Sequence, residues 1–290
     1  MDRRKGHWKS LCRRTLGISD YGTRTLAGVP VNKVTFRYVK GQPIPVHVIR
    51  ALLFAGKAGF LSFDIWKNCF GVGSDRWKHM QIDYLTKEGY FERHRNPVAR
   101  SIYLLGRCGR ELVNELGGTI VTSPPVGHLT HDGVVAESMQ SLDSKCLLYS
   151  WVGERQLKRD GVNEYLISTK EDTLKYPDAV LKINAFGKQR VVAFEYERER
   201  KAMSRYRSIL WQYASLTNVS MVLLVYETKN IKTTIEAAMK YLGQTALIAR
   251  LAFADAADWK RDPATAPIQL GSSVIELAKV CVPKTISKVA

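Results

Sequence analysis

The sequence predicts an α+β protein of two units, a helical one that ends in a basic hairpin and an α/β one behind it. Three observations predict this. Helical periodicity sets in at Val46 and gives way to short strands near residue 90. The stretch "TSPPVG" at 122 to 127 reads as a linker, because two successive prolines cannot continue a helix. Beyond it, apolar strands alternate with amphipathic helices.

With 290 residues, 45% of them hydrophobic and 24% charged, the chain can bury one large core or two ordinary ones and has a soluble, globular balance. No apolar run reaches the roughly 18 to 20 residues a spanning helix needs, and "MDRRKGHWKSLCRRTLG" has no apolar signal core, so a cytoplasmic protein is expected. Five cysteines without a C-x-x-C pair argue against a disulfide framework and against a cysteine zinc site. Charge is the strongest global signal. Lys and Arg outnumber Asp and Glu by 21 to 9 in residues 1–120 and by 23 to 18 in residues 121–290. The two parts therefore carry +12 and +5, and a positive field concentrated at one end suits a phosphate backbone.

Residues 1–45 read as a basic arm punctuated by Gly and Pro, with one hairpin in "VNKVTFRYVK". "VHVIRALLFAGKAG" follows as a helix with Val46, Ile49, Leu52 and Leu53 on one face. A second helix in "SFDIWKNCF" is capped by Ser62, and a third, "SDRWKHMQIDYLTKEG", is capped by Ser74 and ended by Gly89. In the third, Trp77, Met80, Tyr84 and Leu85 are expected inside and Arg76, Lys78 and His79 elsewhere. The strands "YFERHR" and "ARSIYLL" and the helix "RCGRELVNELGG" close a unit over residues 46–121. Three helices before a basic hairpin is the order of a winged helix-turn-helix. Arg76, Lys78 and His79 are then candidates for base contacts, and Arg93, Arg95 and Arg100 of the hairpin for phosphate contacts with duplex DNA. The same arrangement used only for protein contacts is the competing reading.

Within residues 128–290, "HLTHDGVVAESMQSL" and "LLYSWVGERQLKR" read as helices, and "EYLIS", "YPDAVLKI" and "RVVAFEYE" as strands. A helix from about Arg198 to Leu216, the strand "VSMVLLVYE", the helix "TTIEAAMKYLG" and the strand "ALIARLAFA" complete the unit, and "KVCVPKTISKVA" carries no readable signal. Alternation puts Glu195 and Glu197 on one face with Val191 and Ala193, and Val192, Phe194 and Tyr196 on the other. Asp178 reaches the same place if the two strands pair antiparallel through "NAFGKQ". Carboxylates on an apolar strand need a cation. A hard divalent ion would satisfy them, and so would an exposed ladder of ion pairs with Arg198, Arg200, Lys201 and Arg205.

"YPDAV", then "VVAFEYE", then a basic helix resembles the PD-(D/E)XK nuclease pattern. More specifically, "LTHDGVVAESMQSL", "LYSWVGERQL", "KYPDAVLKI" and "VVAFEYERERKAMSRYRSILWQY" in that order, behind a winged helix, resemble the replication-relaxation family, which includes MobC-type plasmid relaxases. The resemblance covers roughly residues 46–226 and implies an α+β protein, an N-terminal winged helix-turn-helix followed by an α/β PD-(D/E)XK nuclease-like domain. It implies Asp178 and Glu195 as ligands of Mg²⁺ or Mn²⁺, Glu137 as a further ligand, and Asp178, Glu195, Glu197 and Lys201 as the catalytic set. Glu197 stands where the pattern has lysine, so the basic group would come from Lys201 or Arg205 of the next helix. The implied activity is a nick in duplex DNA at a plasmid or mobile-element origin, in company with other mobilisation or replication proteins. A non-catalytic DNA-binding regulator is the alternative that Glu197 favours. His128 and His131, three apart, could hold a metal or cap and pack the helix mouth; Tyr206 and Tyr213, seven apart, could be nucleophiles or core.

Overall fold

The computed structural model describes residues 25–26, 29–30, 37–39, 42–94, 101–168, 174–243 and 245–283. N-terminal helices with a small three-stranded antiparallel sheet are followed by a seven-stranded mixed sheet flanked by helices. Two short ladders come first, Thr25–Leu26 (β1) with Val29–Pro30 (β2) and Arg37–Val39 (β3) with Gln42–Pro43 (β4). The rest of the expected arm and hairpin lies outside the described residues.

Helix α1 (Val46–Ala58) is buried on most sides through Val48, Ile49, Ala51, Leu52, Phe54 and Ala55. Val46, expected inside, is exposed. A helix that is apolar around most of its circumference belongs in the middle of a core rather than on its edge. Gly59 ends it at φ 84°, a left-handed conformation that costs glycine no Cβ clash. After β5 (Leu61–Ser62), the Ser62 hydroxyl accepts from the Ile65 N–H at 3.1 Å and starts α2 (Phe63–Ile65), which continues as a π-helical turn over Trp66–Phe70. Ser74 caps α3 (Asp75–Lys87), accepting from the Trp77 N–H at 3.3 Å. The inner face of α3 is Gln81, Ile82 and Leu85, while Trp77, Met80 and Tyr84 are only half-buried. Strands β6 (Phe91–His94) and β7 (Ile102–Leu105) pair antiparallel, with β5 on the far side of β7. Two residues are too few for periodicity to announce β5. Helix α4 (Arg107–Glu115) closes the unit.

Helix α5 (Leu129–Ser144) leads to β8 (Leu148–Gly153) and α6 (Glu154–Asp160). Residues 148–153, expected in a helix, are a strand because β11, some thirty residues on, takes them as an antiparallel partner. Strands β9 (Ile167–Ser168) and β10 (Leu174–Lys175) form a short ladder. Strands β11 (Ala179–Ala185) and β12 (Lys188–Glu197) make the expected hairpin, turning at Phe186 and Gly187 with φ of 53° and 70°. Helix α7 (Met203–Ser215) starts later than expected and leads to β13 (Met221–Tyr226) and α8 (Lys229–Leu242). "ALIARLAFA" divides into α9 (Thr245–Ile248) and β14 (Leu251–Asp255). Helix α10 (Ala256–Arg261), β15 (Ile268–Leu270), β16 (Ser273–Ile275) and α11 (Leu277–Val280) complete the described chain.

The large sheet runs β16-β15-β14-β13-β12-β11-β8, with β12, β13 and β14 parallel at its centre and the flanking pairs antiparallel. One face, bearing Ala193, Val222 and Leu224, lies under α7 and α8. The other, bearing Phe194, Val225 and Ala254, lies under α5 and α10 and joins the helical unit in one apolar cluster. The Phe54 ring, 5.5 Å from Phe70 and 6.4 Å from Trp151, links the two parts. No helix among the described residues is long and apolar enough to cross a membrane.

Gly56 tests the packing of α1. A Cβ there would stand 2.5 Å from the Thr119 carbonyl oxygen, in a segment tied down by the Val121 N–H donating to the Gly56 carbonyl at 2.9 Å. Alanine gains up to about 1 kcal/mol in helix propensity, but forcing atoms into a filled core costs about 1–3 kcal/mol. Gly56→Ala is therefore expected to lower stability in urea melts; an unchanged or raised midpoint would refute the close approach.

Candidate functional site

The hairpin register Ala179↔Phe194 sets Asp178 against Glu195 one step further on, at the carboxyl end of β12. In open α/β sheets ligands gather beyond the carboxyl ends of the strands. Glu195 and Glu197 lie on the α7 side as the alternation required, but both are buried, at 2% and 3% exposed, which excludes the exposed ladder. Each has its own ammonium. Lys175 Nζ donates to both Glu195 oxygens at 3.0 Å, and Lys201 Nζ donates to those of Glu197 at 2.6 and 2.7 Å. The Tyr213 hydroxyl donates to Glu195, and the Tyr206 hydroxyl accepts from the Lys201 N–H at 3.3 Å. Both tyrosines are buried in the core under α7, so the structure gives them the packing role and ties each to an acid's surroundings.

Asp178 is held from the opposite side. The Tyr196 N–H donates to its Oδ2 at 2.7 Å, and His131 Nε2 stands 3.2 Å from the same oxygen. The other ring nitrogen of His131 is 3.1 Å from Asp132 Oδ1, and Arg155 closes the chain by donating to Asp132 Oδ2 at 2.9 Å. Both imidazole nitrogens face acceptors only, an arrangement that favours the protonated ring. Burial opposes that charge, yet the hydrogen bonds to Asp132 and Asp178 raise the His131 pKa to about 10. Burial works most strongly against the anions of Asp178 and Asp132, but His131 together with Lys175 and the Tyr196 N–H at Asp178, and with Arg155 at Asp132, outweighs it and holds both below the usual aspartate range.

Burial pushes the Glu195 carboxyl up, to about 7, with Asp178 and Glu197 adding to the rise against the pull of Lys175. Burial alone would lower the Lys175 ammonium, but Glu195, Asp178 and Glu197 together hold it above the ordinary lysine range. These two directions agree once the charges are counted. Lys175 feels three acids and so stays charged, while burial, with Asp178 and Glu197 nearby, leaves the Glu195 carboxyl raised and short of positive charge.

The donor set can be tested against a divalent cation on that shortage. Mg²⁺ binds one or two carboxylates and completes its octahedron with water and phosphate oxygens. Asp178 and Glu195 supply such a pair, although both Glu195 oxygens already accept from Lys175. Among the described residues no three His, Cys, Asp or Glu side chains are grouped to hold one ion. The protein donors would thus be these two alone, with Lys175 yielding Glu195. Glu137 stands apart from them. It follows His131 and Asp132 by six and five positions, which at about 100° per residue turns it away, and the charges that act on it are those of Asp64 and Lys260.

Among the DNA-contact candidates, Arg76 is exposed and has no partner among the described residues. Lys78 Nζ donates to the Lys67 carbonyl at 2.7 Å, and His79 contacts the Asp75 carbonyl at 2.9 Å with its ring 4.1 Å from that of Phe63. Arg93 donates to the Ser101 hydroxyl at 2.8 and 3.0 Å. Arg95 and Arg100 lie outside the described residues, and His128 is an exposed helix-entry residue. Sequence reasoning missed Lys175, although it stands only three positions before Asp178, and it missed His131 as the partner of Asp178. Arg250 was missed too; its guanidinium donates to the carbonyls of Leu216, Val219, Tyr213 and Ala214 and so fastens the end of α7 that carries Tyr213. Comparison of the chain with protein-family models, with curated proteins and with solved structures finds no match.

Removing one partner of a buried ion pair leaves a bare charge and costs about 3–5 kcal/mol, whereas replacing both is near neutral. Lys175→Met is expected to destabilise by that order at pH 8, and Lys175→Met with Glu195→Gln to recover most of the loss in urea melts. A double variant no more stable than the single would contradict the pairing. The raised Glu195 carboxyl also has a signed consequence. Its contribution to stability is full below the ordinary glutamate value of 4.5 and is lost as pH rises towards about 7. Wild type should therefore lose stability relative to Glu195→Gln between those values, and parallel pH profiles would contradict the shift.

Proposed function

We propose that the chain binds duplex DNA through its basic N-terminal unit and cuts one strand at the Asp178–Glu195 end of the large sheet. One observation carries the reading. Glu195 and Glu197 are buried beside the largely covered Asp178, with Lys175, Lys201 and His131 around them, a concentration of buried charge of the kind that marks functional sites. Three helices ahead of an antiparallel hairpin, in a region with a charge of +12, support a winged helix-turn-helix. The β11–β12 hairpin with Asp178 before it and Glu195 on its second strand supports the PD-(D/E)XK-like reading of the sheet.

In this reading Asp178 and Glu195 would hold Mg²⁺ or Mn²⁺, whose chemistry when bound would be to acidify a water and offset charge on the scissile phosphate. His131 fixes the Asp178 carboxylate and keeps it ionised. Lys201 takes the place of the lysine that Glu197 displaces, and its bond to Glu197 holds it beside the strand end. The substrate would be a plasmid or mobile-element origin, with mobilisation or replication proteins as partners. A non-catalytic DNA-binding regulator is the second reading. The ammonium of Lys175 favours it, because it already stands on both Glu195 oxygens.

Supercoiled-plasmid nicking separates the two. Nicking that requires Mg²⁺ or Mn²⁺, and is abolished in Asp178→Asn and in Glu195→Gln while duplex affinity stays within about twofold, is the expected result. Wild type that nicks no origin-bearing plasmid leaves the regulator. For the N-terminal unit, Arg76→Ala should narrow the gap between specific and nonspecific binding by about 1–3 kcal/mol if it reads a guanine. Replacing two of Arg93, Arg95 and Arg100 should reduce the log-log salt slope by about 1–2. An equal loss on all sequences for Arg76→Ala would remove it from base readout.

A further inference from the structure

A shallow cavity of about 40 Å³, open to solvent, lies over the Asp178 end of the sheet. Its wall combines Lys57 of the helical unit with His131, Trp151, Glu154, Arg155 and Asp178 of the α/β unit. Lys57 enters from the last turn of α1, its ammonium 4.2 Å from the centroid of the Trp151 ring. Every acid in that wall is already paired. Asp132 has Arg155 and His131, Asp178 has His131, and Glu154 has Lys158. Lys57 has no hydrogen-bond or ion-pair partner among the described residues, and Asp143 acts on it only through space.

We infer that Lys57 is a phosphate clamp, binding a backbone phosphate of a single DNA strand that lies across the mouth of the cavity beside Asp178. The inference rests on the cleavage reading for its purpose and on the cavity for its geometry. A half-buried ammonium without an acceptor is costly, and here burial pushes it down to about 8. The Trp151 ring face favours the charged form but accepts no hydrogen bond of ordinary strength, so three N–H donors are left for an anion. A phosphate oxygen satisfies them. Because Lys57 and Asp178 line the same cavity, a phosphate held by the helical unit is presented to the Asp178 end of the sheet, which converts binding into orientation. The two units then contribute to one site, and the apolar contact of Phe54 with Trp151 fixes their spacing.

The test uses the full chain with single-stranded decathymidylate, its affinity measured by fluorescence anisotropy over a range of salt, for wild type, Lys57→Met and Lys57→Arg. Loss of one single-strand phosphate contact lowers the magnitude of the log-log salt slope by about 0.7. That decrease is expected for Lys57→Met and its absence for Lys57→Arg, with the KM for nicking raised in the first and close to wild type in the second. A slope unchanged in Lys57→Met overturns the clamp, and Lys57→Gln replaces it if its thermal midpoint falls. The two readings fail separately. A lowered slope without nicking on any DNA keeps the clamp and removes the cleavage, whereas metal-dependent nicking with an unchanged slope keeps the cleavage and removes the clamp.

Discussion

The pairing of Lys175 with Glu195 is the interaction on which the centre of this molecule depends. Strand β12 is an apolar central strand, paired on both sides and covered on both faces. Glutamates in such a strand are tolerated only where a cation arrives from elsewhere in the chain. Lys175 arrives from β10 and Lys201 from the segment that leads into α7, so the positions of both flanking segments are coupled to the charge of β12. Tyr213 adds a third constraint from α7, and Arg250 anchors the end of that helix.

On the other side of β12 the same logic recurs with different residues. The backbone N–H of Tyr196 and the ring of His131 converge on Asp178, and Arg155 completes the chain through Asp132. His131 thus joins the mouth of α5 to the end of the sheet, and its charge is a consequence of having two aspartates as neighbours. The linked titrations run in opposite directions. The contributions of Asp132 and Asp178 disappear as pH falls through the depressed aspartate values, while that of His131 is full below 6.5 and disappears as pH rises through about 10.

Much of this architecture was legible in the sequence, for reasons that differ from element to element. Ser62 and Ser74 announce their helices because a cap is a local hydrogen bond, and the β11–β12 hairpin is legible because its strands and turn are contiguous. The faces of Glu195 and Phe194 follow from alternation alone. Residues 148–153 were misread as helix because their strand character comes from β11, a partner distant in the chain. The inner face of α3 and the burial of α1 were misjudged at Trp77 and Val46, where neighbouring elements decide which side of a helix is covered. The resemblance drawn from the short motifs finds no counterpart in wider comparisons, so the site rests on its own geometry.

By itself the sequence determined the quantities that depend on local order: the excess of positive charge in the first 120 residues, the helix starts capped by Ser62 and Ser74, and the β11–β12 hairpin. Only the tertiary structure decided how the Asp178 and Glu195 carboxylates are compensated. Lys175 and His131 act across gaps in the chain that no periodicity spans, and a buried charge is compensated by whichever opposite charge the packing brings within reach.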